Sequence, residues 1–152
     1  MNTLILLYLV LFVAPISNLI HELGHLIGAK LAKADEVKLY LGRGTSVCKF
    51  VYRTTEIDIG SVFFTSGFTV SRREEVYKPI EIVYITFFGP FLNAAVALIL
   101  YLLFLHMQND YILVLMLYNC WLFVMNCIPF KIKDQQSDGY IIMKELIGKG
   151  NK

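Results

Sequence analysis

Three apolar runs limit what this chain can fold into. They reach from about Thr3 to Leu31, from about Ile80 to His106 and from about Tyr111 to Phe130. A helix needs about 20 apolar residues to cross the hydrocarbon layer. Within that layer only a helix or a closed barrel pairs every backbone N–H and C=O. The expected fold is therefore an α-helical integral membrane protein with about three transmembrane helices. The first two runs are longer than a span requires, so tilt or a kink is expected, with Pro15 and Pro90 as the kink sites. Composition agrees: 17% of residues are charged, against about 25% in a soluble domain. A chain of 152 residues reads as a single domain, 1–152.

All 14 Lys and Arg residues lie either between Lys30 and Lys78 or between Lys131 and Lys152. Cytoplasmic loops carry the excess of basic residues, so both stretches are expected on the cytoplasmic side. The N-terminus and the link Met107–Asp110 then face outward, and the C-terminal tail is cytoplasmic. The first run has no preceding Lys or Arg and no clear cleavage site, so it reads as a retained helix and not a signal peptide. No basic patch is interleaved with aromatics, which argues against a nucleic-acid partner. The 3 cysteines form no CxxC pair. Neither a disulfide framework nor a cysteine zinc site is expected.

Between the first and second runs the texture changes. "EVKLYLGRGTSVCKFVYRTTEIDIGSVFF" is rich in Val, Tyr, Phe, Thr and Ile and alternates around Val37–Leu41 and Val47–Arg53. Gly42, Gly44 and Gly60 punctuate it. This predicts two to four short strands over about 37–65, forming a small membrane-associated sheet. "SRREEVYKP" reads as a polar linker into the second helix.

The first apolar run contains "HELGH", His21 to His25. An imidazole or carboxylate in such a run costs several kcal/mol unless something compensates it. Residues i and i+4 share a helix face, so His21 and His25 can present two imidazoles to one metal ion. Glu22 lies beside them, able to reach a water on that ion. This is the HExxH arrangement of two zinc ligands and a general base. The competing reading, two polar residues facing a bundle core, leaves the energetic penalty unexplained.

A catalytic zinc takes a third protein ligand and keeps one open position. His106 is a poor candidate, since it falls at the opposite end of the second run from the HELGH side. The carboxylates after Pro129, Asp134 and Asp138, lie on the correct side. Asp138-Gly139 opens an apolar-periodic segment, about 139–147, expected as a cytoplasmic tail helix. An aspartate there is equally readable as an N-cap or as a ligand.

These features resemble the site-2 protease family of intramembrane metalloproteases. HELGH in the first span, "FFGPFLNAA" in the second and Asn126-xx-Pro129 followed by Asp-Gly after the third match in order. The strand "LYLGRGTSV" is similar to the membrane-associated β region of that family. The resemblance implies that His21 and His25 bind Zn²⁺, that Glu22 is the catalytic base and that Asn93 and Asn126 lie near the substrate backbone. It makes the aspartate of the DG pair, Asp138, the third ligand. The family spacing of four residues after the proline lands instead on Asp134, which Gln135 follows, so Asp134 is the alternative.

The activity so implied is a zinc endopeptidase that hydrolyses peptide bonds of membrane-spanning substrates. It would act in regulated intramembrane proteolysis or in clearing remnant peptides, in the lipid bilayer of a bacterial cytoplasmic membrane. Its partners would be single-pass membrane proteins, and a homo-oligomer or a regulatory membrane protein stays open. An extended substrate could add to the edge of the sheet, with Gly42 and Gly44 allowing close backbone approach. The chain reads as close to a minimal core. The alternative is a catalytically inactive zinc-binding scaffold or metal-handling membrane protein.

Overall fold

The computed structural model describes residues 3–133 and 135–148. The first apolar run is helical throughout: α1 (Thr3–Tyr8), a π-helical turn (Leu9–Val13) and α2 (Ala14–Leu31). Pro15 has no N–H to offer the preceding turn, and its ring crowds the carbonyl of Leu11. The widened π turn sits just ahead of it, where that mismatch falls. Helix α3 (Pro79–Met107) continues through Pro90. Helix α4 (Asp110–Cys127) stops short of the expected Phe130. Ile128 is extended, at φ −71 and ψ 124, because a residue before proline is pushed out of the helical region.

Three helices, Thr3–Leu31, Pro79–Met107 and Asp110–Cys127, are long and apolar enough to cross a membrane. At 29 residues each, the first two are about 43 Å long, against a hydrocarbon layer of about 30 Å.

The connection between α2 and α3 is one hairpin of two long strands, β1 (Glu36–Tyr52) and β2 (Thr55–Arg72). The short strands expected over 37–65 are these two, each bent near its middle. Gly42 and Gly44 take φ of +83 and +91 at the bend of β1, a conformation only glycine adopts without strain. The end of β2 pairs antiparallel with the start of β1, from Glu36↔Arg72 to Leu41↔Gly67. Beyond the bends, Tyr52↔Thr55 to Cys48↔Ile59 pair around the turn, and Val37–Leu41 also lies alongside Thr55–Ile59. The strand region thus extends to Arg72, so Ser71 and Arg72 belong to the sheet and not to the linker.

One face of β1 packs on the helices. Val37 and Leu39 are fully buried and Leu41 nearly so, alternating with outward Lys38 and Tyr40 as period two requires. Val37 meets Ala29 and Ala34 in a core that Leu26, Tyr77 and Ile85 close. Arg73 then clamps the return into α3. Its Nη1 donates to the Ala32 carbonyl at 2.7 Å, and its two Nη atoms reach the Glu81 carboxylate at 3.0 and 2.9 Å.

After α4, β3 (Lys131–Ile132) and β4 (Gln135–Gln136) form a short ribbon leading into α5 (Asp138–Ile147). Asp134 lies outside the described residues.

Candidate metal centre

Helix α2 carries His21 and His25 on one face, and two glycines let α3 approach it. A Cβ on Gly24 would lie 2.2 Å from the Phe88 carbonyl oxygen, so the two backbones touch there. A Cβ on Gly89 would lie 2.4 Å from the His25 ring. Gly89, beside Pro90, is therefore the space into which that imidazole fits. We expect Gly89→Ala to displace the ring. Its overpacking should cost about 1–3 kcal/mol, read as a lower Tm, together with weaker zinc binding.

The hydrogen bonds determine which ring nitrogens carry protons. His25 Nδ1 is 3.0 Å from the Ile85 carbonyl, which can only accept, so Nδ1 is the protonated atom. His21 Nδ1 is 2.7 Å from Asn93 Oδ1. Asn93 Nδ2 donates to the Ser17 carbonyl at 3.2 Å and to Asn119 Oδ1 at 2.8 Å, which directs its oxygen toward His21. His21 Nδ1 is therefore also the donor. Both Nε2 atoms are left with lone pairs.

Those lone pairs converge. The two Nε2 atoms are 3.1 Å apart. Asp138 Oδ2 lies 3.1 Å from His21 Nε2, and Asp138 Oδ1 lies 3.5 Å from His25 Nε2. Asp138 Oδ2 is buried and, among the described residues, has no hydrogen-bond donor. A single proton would satisfy one of these contacts and leave the others opposed. A cation satisfies all of them. Tetrahedral zinc with bonds of about 2.0–2.2 Å separates its ligand atoms by about 3.3–3.6 Å, close to the spacings found. The donor set of two imidazoles and a carboxylate suits zinc. Among the described residues, these three bring one ligand atom each within 4.8 Å of one another.

Ser137, not Asp138, is the N-cap of α5. Its hydroxyl accepts from the Tyr140 N–H at 3.2 Å and donates to the Ile128 carbonyl at 2.7 Å. Of the two readings of Asp138, N-cap or ligand, the cap is thus taken by Ser137, which frees the Asp138 carboxylate to face the histidines. A Cβ on Gly139 would lie 2.1 Å from the Cys127 carbonyl oxygen. The DG pair thus combines an acid with the close approach that brings α5 against the end of α4.

Glu22 is 5% exposed. Its Oε2 accepts from Thr69 Oγ1 at 2.7 Å, so β2 orients the carboxylate. Glu22, both histidines and Asp138 line one cavity of about 410 Å³, with Ser66–Thr69 of β2, Thr86, Leu122 and Asn126 on its other walls.

The remaining expected site residues divide. Asn126 lines the cavity, and its Nδ2 donates to the Leu122 carbonyl of its own helix at 2.9 Å. Asn93 is fully buried and lies behind His21, away from the open space. Gly42 and Gly44 do not line the cavity. Their missing side chains face Phe63 and Ser61 of the partner strand. His106 is exposed at the far end of α3, with Nδ1 at 2.9 Å from the Leu102 carbonyl. Sequence reasoning missed Thr69, Ser137 and Asn119. Thr69 lay between the stretch read as strands and the linker that begins at Ser71, and Ser137 lay in the tail. Asn119 had a signal, a polar residue inside an apolar helix.

A bundle of long apolar helices thus carries a His-His-carboxylate cluster beside a buried glutamate. Residues 7–110 match peptidase family M50, and the chain belongs to this family, the site-2 protease family of zinc metalloproteases. Compared with curated proteins, the chain gives no match.

Proposed function

We propose that this protein is an intramembrane zinc endopeptidase that cleaves single-pass membrane proteins. The observation that carries it is the convergence of three lone-pair ligands, His21 Nε2, His25 Nε2 and the Asp138 carboxylate, next to Glu22. Zinc held there would supply Lewis acidity, polarising a carbonyl and acidifying water. His25 and His21 keep their Nδ1 protons on Ile85 and Asn93, so both stay in the metal-binding tautomer. Glu22 accepts a proton from the attacking water as the oxygen–carbon bond forms. It returns that proton to the amine as the carbon–nitrogen bond breaks. Thr69 holds the carboxylate in line for both transfers.

A helical substrate hides its carbonyls in i→i+4 bonds, so the scissile segment must unwind. The Ser66–Thr69 portion of β2, on the cavity wall, is the strand edge nearest the site for an extended peptide to join. The three long apolar helices and the positions of the basic residues support a cytoplasmic-membrane protein with its N-terminus outside and its C-terminal tail and metal site toward the cytoplasm. A bare metal-binding scaffold needs no buried carboxylate beside the histidines, which favours the enzyme.

The test uses protein in lipid vesicles with a panel of single-span substrates. Cleavage is expected, lost on stripping zinc with a chelator and restored by adding zinc back. Cleavage that survives complete removal of the metal would overturn the proposal.

A further inference from the structure

Asn119 sits in the middle of α4, fully buried, two helical turns before Asn126 and outside the motifs that define the metal site. Its surroundings decide which way its amide faces. Nδ2 donates to the Leu115 carbonyl at 2.9 Å and to Ser17 Oγ at 2.9 Å. The Leu115 carbonyl can only accept, so the Asn119 oxygen must point the other way, to Asn93 Nδ2 at 2.8 Å. Asn93, whose Nδ2 also donates to the Ser17 carbonyl at a longer 3.2 Å, in turn presents its oxygen to His21 Nδ1 at 2.7 Å. Ser17, Asn93 and Asn119 are all 0% exposed, leaving no room for bulk water to substitute for any partner.

An amide turned by 180° has nearly the same shape, and only its partners decide its direction. With Asn93 turned, its NH₂ would face His21 Nδ1. The His21 proton would then move to Nε2, the atom aimed at His25 and Asp138, and that nitrogen could no longer coordinate. We propose that Asn119 is a positioning residue for the metal centre: it orients the Asn93 amide and so keeps His21 Nε2 free for zinc. The proposal rests on the zinc reading above. The same bonds also join α2, α3 and α4, and polar pairs between apolar helices stabilise them modestly. Purely structural glue would change Tm without changing the metal site.

The test compares wild type, Asn119→Leu and Asn119→Asp. Leucine removes the acceptor at similar volume. A neutral aspartic acid keeps a carbonyl to accept from Asn93 and an O–H to donate. Zinc affinity is read by competition with a chromophoric chelator, the ligand field by the visible spectrum of the Co²⁺ form, and folding by thermal unfolding of metal-free protein. Asn119→Leu should bind zinc about 10–100-fold more weakly, the range for losing an outer-sphere partner, with an altered Co²⁺ spectrum. Asn119→Asp should bind within a few-fold of wild type. Unchanged zinc affinity and Co²⁺ spectrum in a folded Asn119→Leu protein would overturn the proposal while leaving the protease reading intact. A wild type that binds no zinc would overturn both. Whether or not the leucine variant folds, the ¹⁵N shifts of His21 in metal-free wild type decide the tautomer. A proton on Nε2 overturns the proposal; the expected proton on Nδ1 should persist in Asn119→Asp and shift toward Nε2 in Asn119→Leu.

Discussion

Protein carrying Glu22→Gln is expected to keep its zinc and lose its proteolytic activity. Glutamine has nearly the same shape but cannot accept the water proton or return it to the leaving amine. Positioned acid–base groups contribute about 10²–10⁴-fold to rate, so cleavage of a single-span substrate in vesicles should fall by that order. The metal should stay, because the converging ligand atoms belong to His21, His25 and Asp138. Thr69 also bonds the Glu22 carbonyl, at 3.2 Å, which keeps β2 docked on α2. Elemental analysis and a cleavage time course on one preparation check both halves. Wild-type cleavage by this variant would remove Glu22 from the mechanism.

Asp138→Asn is the second large effect, and its sign depends on whether metal is present. The substitution keeps the shape and removes an anionic ligand. Zinc affinity should drop by more than about 100-fold, beyond the range seen when only outer-sphere support is lost, and activity should go with it. Without metal the expectation reverses. In the wild type, a carboxylate and two imidazole lone pairs face one another at 3.1 to 3.5 Å. An asparagine NH₂ pointed at them replaces opposed acceptors with a donor. The metal-free variant should therefore unfold at no lower temperature than metal-free wild type. Asp134→Asn, measured alongside, should retain zinc and activity. Full zinc binding by Asp138→Asn, or its loss in Asp134→Asn, would move the third ligand to Asp134.

Much of the fold was legible because it is local. Apolar runs of 18 to 29 residues declare helices with no knowledge of what they pack on. Pro129 ended α4 on the spot by dictating the conformation of Ile128. The sheet was less legible. Gly42, Gly44 and Gly60 looked like strand ends, but they mark bends within longer strands. Ser71 and Arg72 looked like linker, because their strand character comes only from pairing with the start of β1.

The site divides along the same line. An i, i+4 pair of histidines with an adjacent glutamate is a property of one helix, so the sequence was enough to name His21, Glu22 and His25 as a unit. What holds those groups could not be read that way. The partner of His21 Nδ1 is 72 residues distant and that of His25 Nδ1 is 60 residues distant. Neither the space at Gly89 nor the cap at Ser137 leaves any periodic trace in the chain. Asn93 was readable equally as a group beside the substrate or as a polar bridge between helices, and it lies behind a histidine, since a motif records that a polar group is needed in a helix and not which way it faces. Periodicity reports the face of a single element. Proton positions and lone-pair directions come from contacts between elements, and these exist only once the helices have packed.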